Sequence, residues 1–186
     1  MEKLTQFDKT KLIDVLTERL AFERAGVKLY DRVLEVMRGT GDANVSRMVP
    51  EMEQHRGEEK EHEEWLEEQI RAVGGDAHGE TDRSRLVTRE SKGIEEVVMS
   101  DASLDHLLHA LLAAELVDNA GWDLLAQIAD EAGDRGAKRE FKKRLHQEED
   151  HLLFVRKAVE KLSFRAILGE DVKLPERSPM HLIPGR

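Results

Sequence analysis

Four long stretches of the chain repeat apolar residues at intervals of three and four positions, and this pattern constrains the fold more than any other feature. Such spacing predicts helices that each bury one face. The stretches run from about Lys9 to Met37, from about Val45 to Val73, from near "SDAS" at 100–103 to Ala129, and from Phe141 to Leu162. Glycine-containing segments at 38–42 and 133–136 separate the members of each pair. The pattern therefore predicts an all-α fold, a four-helix bundle built from two helical hairpins.

The connection between the second and third helices is long and covers residues 74–100. A connection of this length inside a compact domain indicates a crossover along the bundle or a functional loop. Within it, "GIEEVVM" at 93–99 predicts a short ordered piece. After Leu168 the chain becomes irregular and contains three of its four prolines. We therefore expect the bundle to span residues 1–168 and an extended tail to span residues 169–186.

Each apolar stripe is interrupted by polar residues at positions where a core side chain is expected. The interrupting residues are Glu23 in the first stripe, His55, Glu59 and His62 in the second, Glu115 in the third, and Glu148 with the adjacent His151 in the fourth. A buried carboxylate costs several kcal/mol unless an opposite charge or a metal compensates it. The bundle therefore requires a compensating partner near its centre.

The two predicted hairpins repeat each other, and the repeated feature is the polar part of the core. Aligning the halves pairs Glu23 with Glu115, Tyr30 with Trp122, Glu59 with Glu148, and His62 with His151. Of the eight histidines in the chain, only His62 and His151 have a glutamate three residues earlier. The halves therefore look like one duplicated unit.

A dinuclear metal site explains this repeated Glu-x-x-His arrangement. Residues three apart share a helix face, so each pair can present one carboxylate and one imidazole to an ion. Protons alone could neutralise the four glutamates, but they would not explain the matched histidines. Two such pairs, with one glutamate from each remaining helix, supply six ligands for two ions.

The order Glu, Glu-x-x-His, Glu, Glu-x-x-His on four helices with a long middle connection resembles the ferritin-like superfamily, which includes bacterioferritins and rubrerythrins. The resemblance covers residues from about 9 to 162. It implies a non-haem di-iron protein that oxidises Fe(II) with O₂ or peroxide, a ferroxidase or peroxide-scavenging oxidoreductase. The metal ligands that it implies are Glu23, Glu59, His62, Glu115, Glu148 and His151.

Three differences from these relatives limit which of their properties we expect in this protein. Lys60 stands where bacterioferritins carry the methionine that binds haem, so no haem is expected. The chain has no cysteine, which excludes a rubredoxin-like iron site. The sequence pattern of the proline-containing tail does not predict the short fifth helix of cage-forming ferritins, which argues against a closed storage shell.

Five further residues are candidates for roles around the metal ions. His55 is either an extra ligand or an outer partner that orients a carboxylate. Asp118 is an extra ligand, or it accepts an N–H from a metal-bound imidazole, or it faces solvent. Tyr30 and Trp122 are candidate redox residues, although aromatic residues in a stripe are more often core. Arg144 is the main arginine expected on an inner face.

The composition of the chain limits the classes of binding partner that we expect. The formal charge is −10, from 29 basic and 39 acidic residues, which argues against nucleic acid and favours metal cations. No segment has the length of a membrane span or a leader, so the expected compartment is the cytoplasm. The simplest interpretation of the acidic run is a solvated helix face, formed by Glu58, Glu61, Glu63, Glu64, Glu67 and Glu68.

Two other function classes remain open from the sequence. One is a di-manganese or di-iron enzyme that acts on peroxide or an organic substrate, as a catalase or an oxygenase. The other is a metal-binding structural or cargo protein without turnover. The ligand set suits iron and manganese alike. Helical bundles of this kind usually pair along their outer faces, so a homodimer or higher homo-oligomer is expected.

Overall fold

The computed structural model describes residues 1–100 and 103–169 of the chain, and every regular element among them is helical. After a 3-10 turn at Leu4–Gln6, the helices are α1 (Lys9–Gly39), α2 (Ala43–Ser46), α3 (Val49–Ala72), α4 (Asp82–Glu90), α5 (Lys92–Ser100), α6 (Leu104–Glu131) and α7 (Arg135–Leu168). Within the described residues, no helix is long and apolar enough to cross a membrane.

The four long helices form the two predicted hairpins. Helix α1 packs along α3, helix α6 packs along α7, and α1 also contacts α6. This confirms the all-α bundle with a long crossover between its halves. Helix α7 ends where Gly169 adopts a left-handed conformation with φ of 72°, which glycine adopts without steric cost. The rest of the predicted tail lies outside the described residues.

The crossover contains more helix than the sequence suggests. The ordered piece predicted at 93–99 is confirmed as part of α5, but α4 was not predicted. Helix α4 has nine residues, of which only Leu86 and Val87 are apolar, too few to set up a stripe of repeated apolar positions. Its start is marked by a capping box, in which the side chains of Thr81 and Ser84 each bind the other residue's backbone N–H. That Thr-x-x-Ser signal was the available clue in the sequence.

The first hairpin turns through a broken helix, whereas a single helix was predicted from about Val45 to Val73. Helix α2 stops at Ser46, and Pro50 lies in the first turn of α3. Proline is favoured there because its missing N–H would have no partner in that turn. In the second hairpin, Asp134 caps α7 directly by accepting a hydrogen bond from the backbone N–H of Ala137.

Two apolar clusters fill the bundle and leave a polar layer between them. One cluster surrounds Leu29, Val33 and Leu111; the other surrounds Leu16, Leu66 and Phe141. Each fully buried side chain of this size contributes about 1.5–3 kcal/mol. The clusters hold all four long helices together on both sides of the polar layer, and so they fix the positions of its side chains.

Candidate metal centre

The six predicted ligands all meet in the polar layer. Helix α1 contributes Glu23, α3 contributes Glu59 and His62, α6 contributes Glu115, and α7 contributes Glu148 and His151. None of these side chains is more than 2% exposed. The sequence repeat therefore identified residues that the fold brings together.

The cluster divides into two overlapping halves. In the His62 half, one ligand atom each from Glu23, His62 and Glu148 lie within 4.8 Å of one another. In the His151 half, the same holds for Glu59, Glu115, Glu148 and His151. Glu148 belongs to both halves, and Glu59 also groups with Glu23, Asp118 and Glu148. Glu59 and Glu148 are therefore placed to bridge two ions.

Both imidazoles direct Nδ1 into the cluster. Nδ1 of His62 lies 2.8 Å from Oε1 of Glu148 and 3.5 Å from Oε2 of Glu23. Nδ1 of His151 lies 3.2 Å from Oε1 of Glu59 and 3.3 Å from Oε2 of Glu148. The two halves thus present the same nitrogen atom to the carboxylates.

The outward nitrogen of each imidazole meets a residue of the opposite hairpin. Nε2 of His62 lies 3.1 Å from Oε1 of Gln147, and Nε2 of His151 lies 2.8 Å from Oε2 of Glu58. An imidazole that ligates through one nitrogen is usually oriented by a partner at the other. The prediction that Glu58 belongs to a simple solvated face was wrong, because its side chain turns towards α7.

Tyr30 and Trp122 hold the two single glutamates across the hairpins. The Tyr30 hydroxyl donates to Oε1 of Glu115 at 2.6 Å, and Nε1 of Trp122 donates to Oε1 of Glu23 at 2.8 Å. Each aromatic residue therefore positions the ligand that the other half supplies. Their redox role stays a prediction.

A buried ion pair lies beside the cluster, between Arg19 and Asp118. Nη1 of Arg19 lies 2.9 Å from Oδ1 of Asp118 and donates to its backbone oxygen at 2.9 Å. Gly121 makes room for it, because a Cβ there would lie 1.7 Å from Nη1. Burial raises the pKa of Asp118 well above its usual value, although Arg19 opposes this shift.

The structure corrects the expectations for Asp118 and for the inner arginine. Asp118 does not face solvent, since it is 3% exposed and pairs with Arg19. A carboxylate oxygen of Asp118 lies within 4.8 Å of ligand atoms of Glu23, Glu59 and Glu148, so its role as an extra ligand or outer partner stays a prediction. Arg144 is also buried, but its guanidinium lies 3.6 Å from the centre of the Trp65 ring rather than against the glutamates. Arg19 escaped prediction because it lies one helical turn before Glu23, at the edge of the apolar stripe.

The unpaired atoms of the cluster fit a metal centre. Among the described residues, six fully buried carboxylate oxygens make no well-oriented hydrogen bond, and they are Oε2 of Glu23, Oε2 of Glu59, Oε2 of Glu115, Oδ1 of Asp118, and both oxygens of Glu148. Buried polar atoms are rarely left unpaired in folded proteins. Gly26 opens the space for one of them, because a Cβ there would lie 2.4 Å from Oε2 of Glu59. A donor set of carboxylates and two imidazoles suits iron or manganese.

Protons compensate the charges of the metal-free cluster. Burial raises the pKa of Glu115 to about 8, and burial with the charge of Glu148 raises that of Glu59. Burial opposes charge on His62, but close carboxylates raise its pKa to about 10. Burial would also raise the pKa of Glu148, but the charge of His151 holds it well below its usual value. Metal binding must displace these protons, so metal affinity falls as pH falls.

Comparison with known proteins supports the fold. The chain is similar over 82% of its length, and over 98% of the other chain, to a crystal structure of ferritin-like, diiron-carboxylate proteins from Bacillus anthracis strain Ames. The TM-score is 0.61 and the sequence identity is 14%. At this identity the likeness establishes a shared ferritin-like fold. A comparison with curated proteins gave no match.

A family profile matches residues 9–166, which include every residue of the cluster and all of the four long helices except the last two residues of α7. The family is described only as a domain of unknown function, DUF892. Because the match covers most of the chain, the protein belongs to this family, and its fold is that of the ferritin-like superfamily.

Proposed function

We propose that the protein holds two iron ions and oxidises Fe(II) with O₂ or peroxide. The observation that carries this proposal is the convergence of unpaired carboxylate oxygens and two inward Nδ1 atoms from all four long helices. Without a metal, compensation of these buried charges depends on bound protons and on the contacts between imidazoles and carboxylates, whereas two cations would compensate them directly. The diiron-carboxylate description of the similar Bacillus structure supports the same reading.

The protein's own residues would organise this chemistry. When bound, two iron ions supply the electrons that reduce the oxidant. Glu59 and Glu148 would be ligands for both ions, and His62 and His151 would favour transition metals over magnesium or calcium. Tyr30 and Trp122 fix the remaining glutamates through the hydrogen bonds described above. The apolar clusters on either side exclude bulk water, which strengthens each electrostatic contact.

Metal content of matched variants tests the ligand assignment. Wild-type protein reconstituted anaerobically with Fe(II) should retain two ions per chain, measured by elemental analysis after desalting. Glu59→Ala should retain fewer, because it removes a carboxylate that both halves share. Glu61→Ala is the control, since Glu61 is exposed on the same helix. Equal iron content in all three proteins would contradict the assignment.

Oxidation of Fe(II) tests the activity. On exposure to O₂ or peroxide, the loaded protein should consume oxidant and develop ferric absorption, and Glu59→Ala should do so only at the rate of free Fe(II). Oxygen release from peroxide by manganese-loaded protein, without Fe(II) oxidation, would instead indicate a catalase. Stable metal binding with neither response would indicate a structural or cargo role.

We further propose that the chain forms a homodimer or a higher homo-oligomer. Val117, Leu124 and Ile128 are exposed on one face of α6, and the last two line an apolar groove together with Phe7. A continuous apolar face of this kind is typical of a protein interface. Light scattering should give a mass above that of the 21.2 kDa chain. Replacing Leu124 and Ile128 by Glu should lower this mass, whereas Leu86→Glu on exposed α4 should not.

A further inference from the structure

A cleft between α3 and α7 leads from the surface towards the metal centre. Its volume is about 410 Å³, and its lining includes Glu51, Asp150, Leu153 and Lys157. His55 also lines the cleft and is only 3% exposed, so it marks the inner end. Glu51 and Asp150 outnumber Lys157, so the charged residues that line the cleft have a net negative charge, which attracts cations.

His55 connects the cleft to the centre. Its ring centre lies 4.4 Å from that of His151, and ligand atoms of His55, Glu58 and His151 lie within 4.8 Å of one another. Nδ1 of His55 is buried and has no hydrogen-bond partner among the described residues. A buried imidazole nitrogen without a partner is a strong candidate for a ligand atom.

His151 offers a nitrogen to each side. Its Nε2 lies 2.8 Å from Glu58 on the cleft side, and its Nδ1 lies 3.2 Å from Glu59 inside the cluster. Because the two nitrogens of one imidazole ring contact Glu58 and Glu59, the cleft and the cluster are separated at this point by the width of that ring. A cation held by His55 and Glu58 is therefore one step from the inner ligands.

The opposite half of the duplicated unit shows that this arrangement is not a requirement of the fold. The alignment that pairs Glu59 with Glu148 also pairs His55 with Arg144. Arg144 places a fixed positive charge over the Trp65 ring, 3.6 Å from its centre. This charge opposes the approach of a cation from that side. The equivalent position in the first half holds an imidazole instead.

We propose that the cleft between α3 and α7 is the route by which a divalent cation reaches the centre, and that His55 and Glu58 receive the cation before it passes His151. This inference rests on the proposed metal centre. It assigns to His55 a role in delivery rather than in the final ligand set.

The rate at which Co(II) alone enters the metal-free protein tests the route. Loading is followed by stopped-flow absorption of bound Co(II), and the final content is measured by elemental analysis. His55→Gln should load about ten-fold more slowly than wild type and reach the same final content. His146→Gln is the matched control, because His146 is exposed on α7; it should load at the wild-type rate.

A second variant keeps the test decisive if His55→Gln fails to fold. Leu153→Trp narrows the cleft and leaves every candidate ligand in place, and it should also slow loading without changing the final content. Wild-type loading rates in both variants would overturn the route. A lower final content in His55→Gln alone would make His55 a permanent ligand and overturn its role in delivery. Failure of wild-type protein to bind Co(II) would overturn the metal centre itself, and the route with it.

Discussion

The His62 half and the His151 half of the centre share one skeleton but differ in their surroundings. In both, an imidazole directs Nδ1 inward, an outward Nε2 meets the residue just before the opposite Glu-x-x-His glutamate, and an aromatic residue holds a glutamate of the other hairpin. These features recur because the two hairpins pack face to face as copies of one unit.

The differences concern charge. The His62 half has a neutral amide at Gln147, and the Arg19–Asp118 ion pair lies 3.9 Å from its Glu23. The alignment pairs Arg19 with Leu111 and Asp118 with Gly26, so the ion pair has no charged counterpart. The His151 half instead has the acidic Glu58 and the neutral His55 beside the cleft. The comparison indicates that the two halves share the arrangement of their ligands and that fixed charge closes only one of them.

The largest expected effect comes from breaking the ion pair that only one half has. Arg19→Leu, which copies the residue of the other half, leaves Asp118 buried without its cation. We expect a loss of about 3 kcal/mol in the free energy of unfolding, at the lower end for a broken buried pair because Asp118 can take up a proton. Urea unfolding of metal-free protein at pH 7 measures the loss.

Two variants show whether the ion pair itself is responsible. Adding Asp118→Ala to Arg19→Leu should restore at least half of the lost stability, since no unpaired charge then remains. Arg144→Met should cost only about 1 kcal/mol, because it removes a cation–π contact with Trp65 and an ion pair with the exposed Glu140, and it leaves no buried carboxylate unpaired. Equal losses for Arg19→Leu and Arg144→Met would remove the distinction between the two arginines.

A smaller effect is expected from exchanging the outward partners of the two imidazoles. Glu58→Gln gives His151 the neutral partner that His62 has, and it should weaken metal binding about ten-fold. The cause is that a carboxylate increases the basicity of the imidazole more than an amide does. Gln147→Glu should strengthen binding at the His62 half. Competition with a chelator measures both affinities.

Exchanging both partners at once tests whether they cause the difference in metal affinity between the His62 half and the His151 half. The double variant Glu58→Gln with Gln147→Glu should reverse the order in which the two metal positions fill. Unchanged affinity in both single variants would show that the outward contacts do not tune the ligands. Glu64→Gln, an exposed change on α3, serves as the control for the altered net charge.

The smallest effect concerns the turns of the two hairpins. Asp134 caps α7 and binds the N-terminal turn through the backbone N–H groups of Lys3 and Leu4, whereas α3 begins after Met48 without a side-chain cap. Asp134→Ala should cost about 1 kcal/mol at pH 7. Asp8→Ala should cost less, because Asp8 binds only the N–H of Lys11 in an exposed turn.

The pH dependence of this loss has a definite sign. Burial raises the pKa of Asp134, but its backbone N–H donors outweigh burial and lower the pKa below 3.8. The stabilisation is therefore complete above pH 3.8 and disappears as pH falls through the lower folded value. Unfolding of metal-free wild type and Asp134→Ala should converge in acid. A constant difference from pH 7 to pH 2 would mean that the carboxylate charge has no role.

The sequence determined the long helices and the polar positions of the core, because both depend on spacing within one helix. Glu23, Glu59 and Glu148 stand in apolar stripes, and a residue in such a stripe must face the bundle interior whatever the neighbouring helix is. The matched Glu-x-x-His pairs then fixed which polar residues belong together. Helix α4 was missed because it has only nine residues, of which Leu86 and Val87 alone are apolar.

Only the tertiary structure decided which side chains meet between helices. The contacts of Arg19 with Asp118 and of Glu58 with His151 each join residues far apart in the chain. Both depend on the rotation of one helix against another and on local space, such as that left by Gly121. Periodicity within a helix specifies which face is buried, but a residue at the edge of that face can turn inward or outward. For Arg19 and Glu58, the packing of the opposite hairpin made that choice.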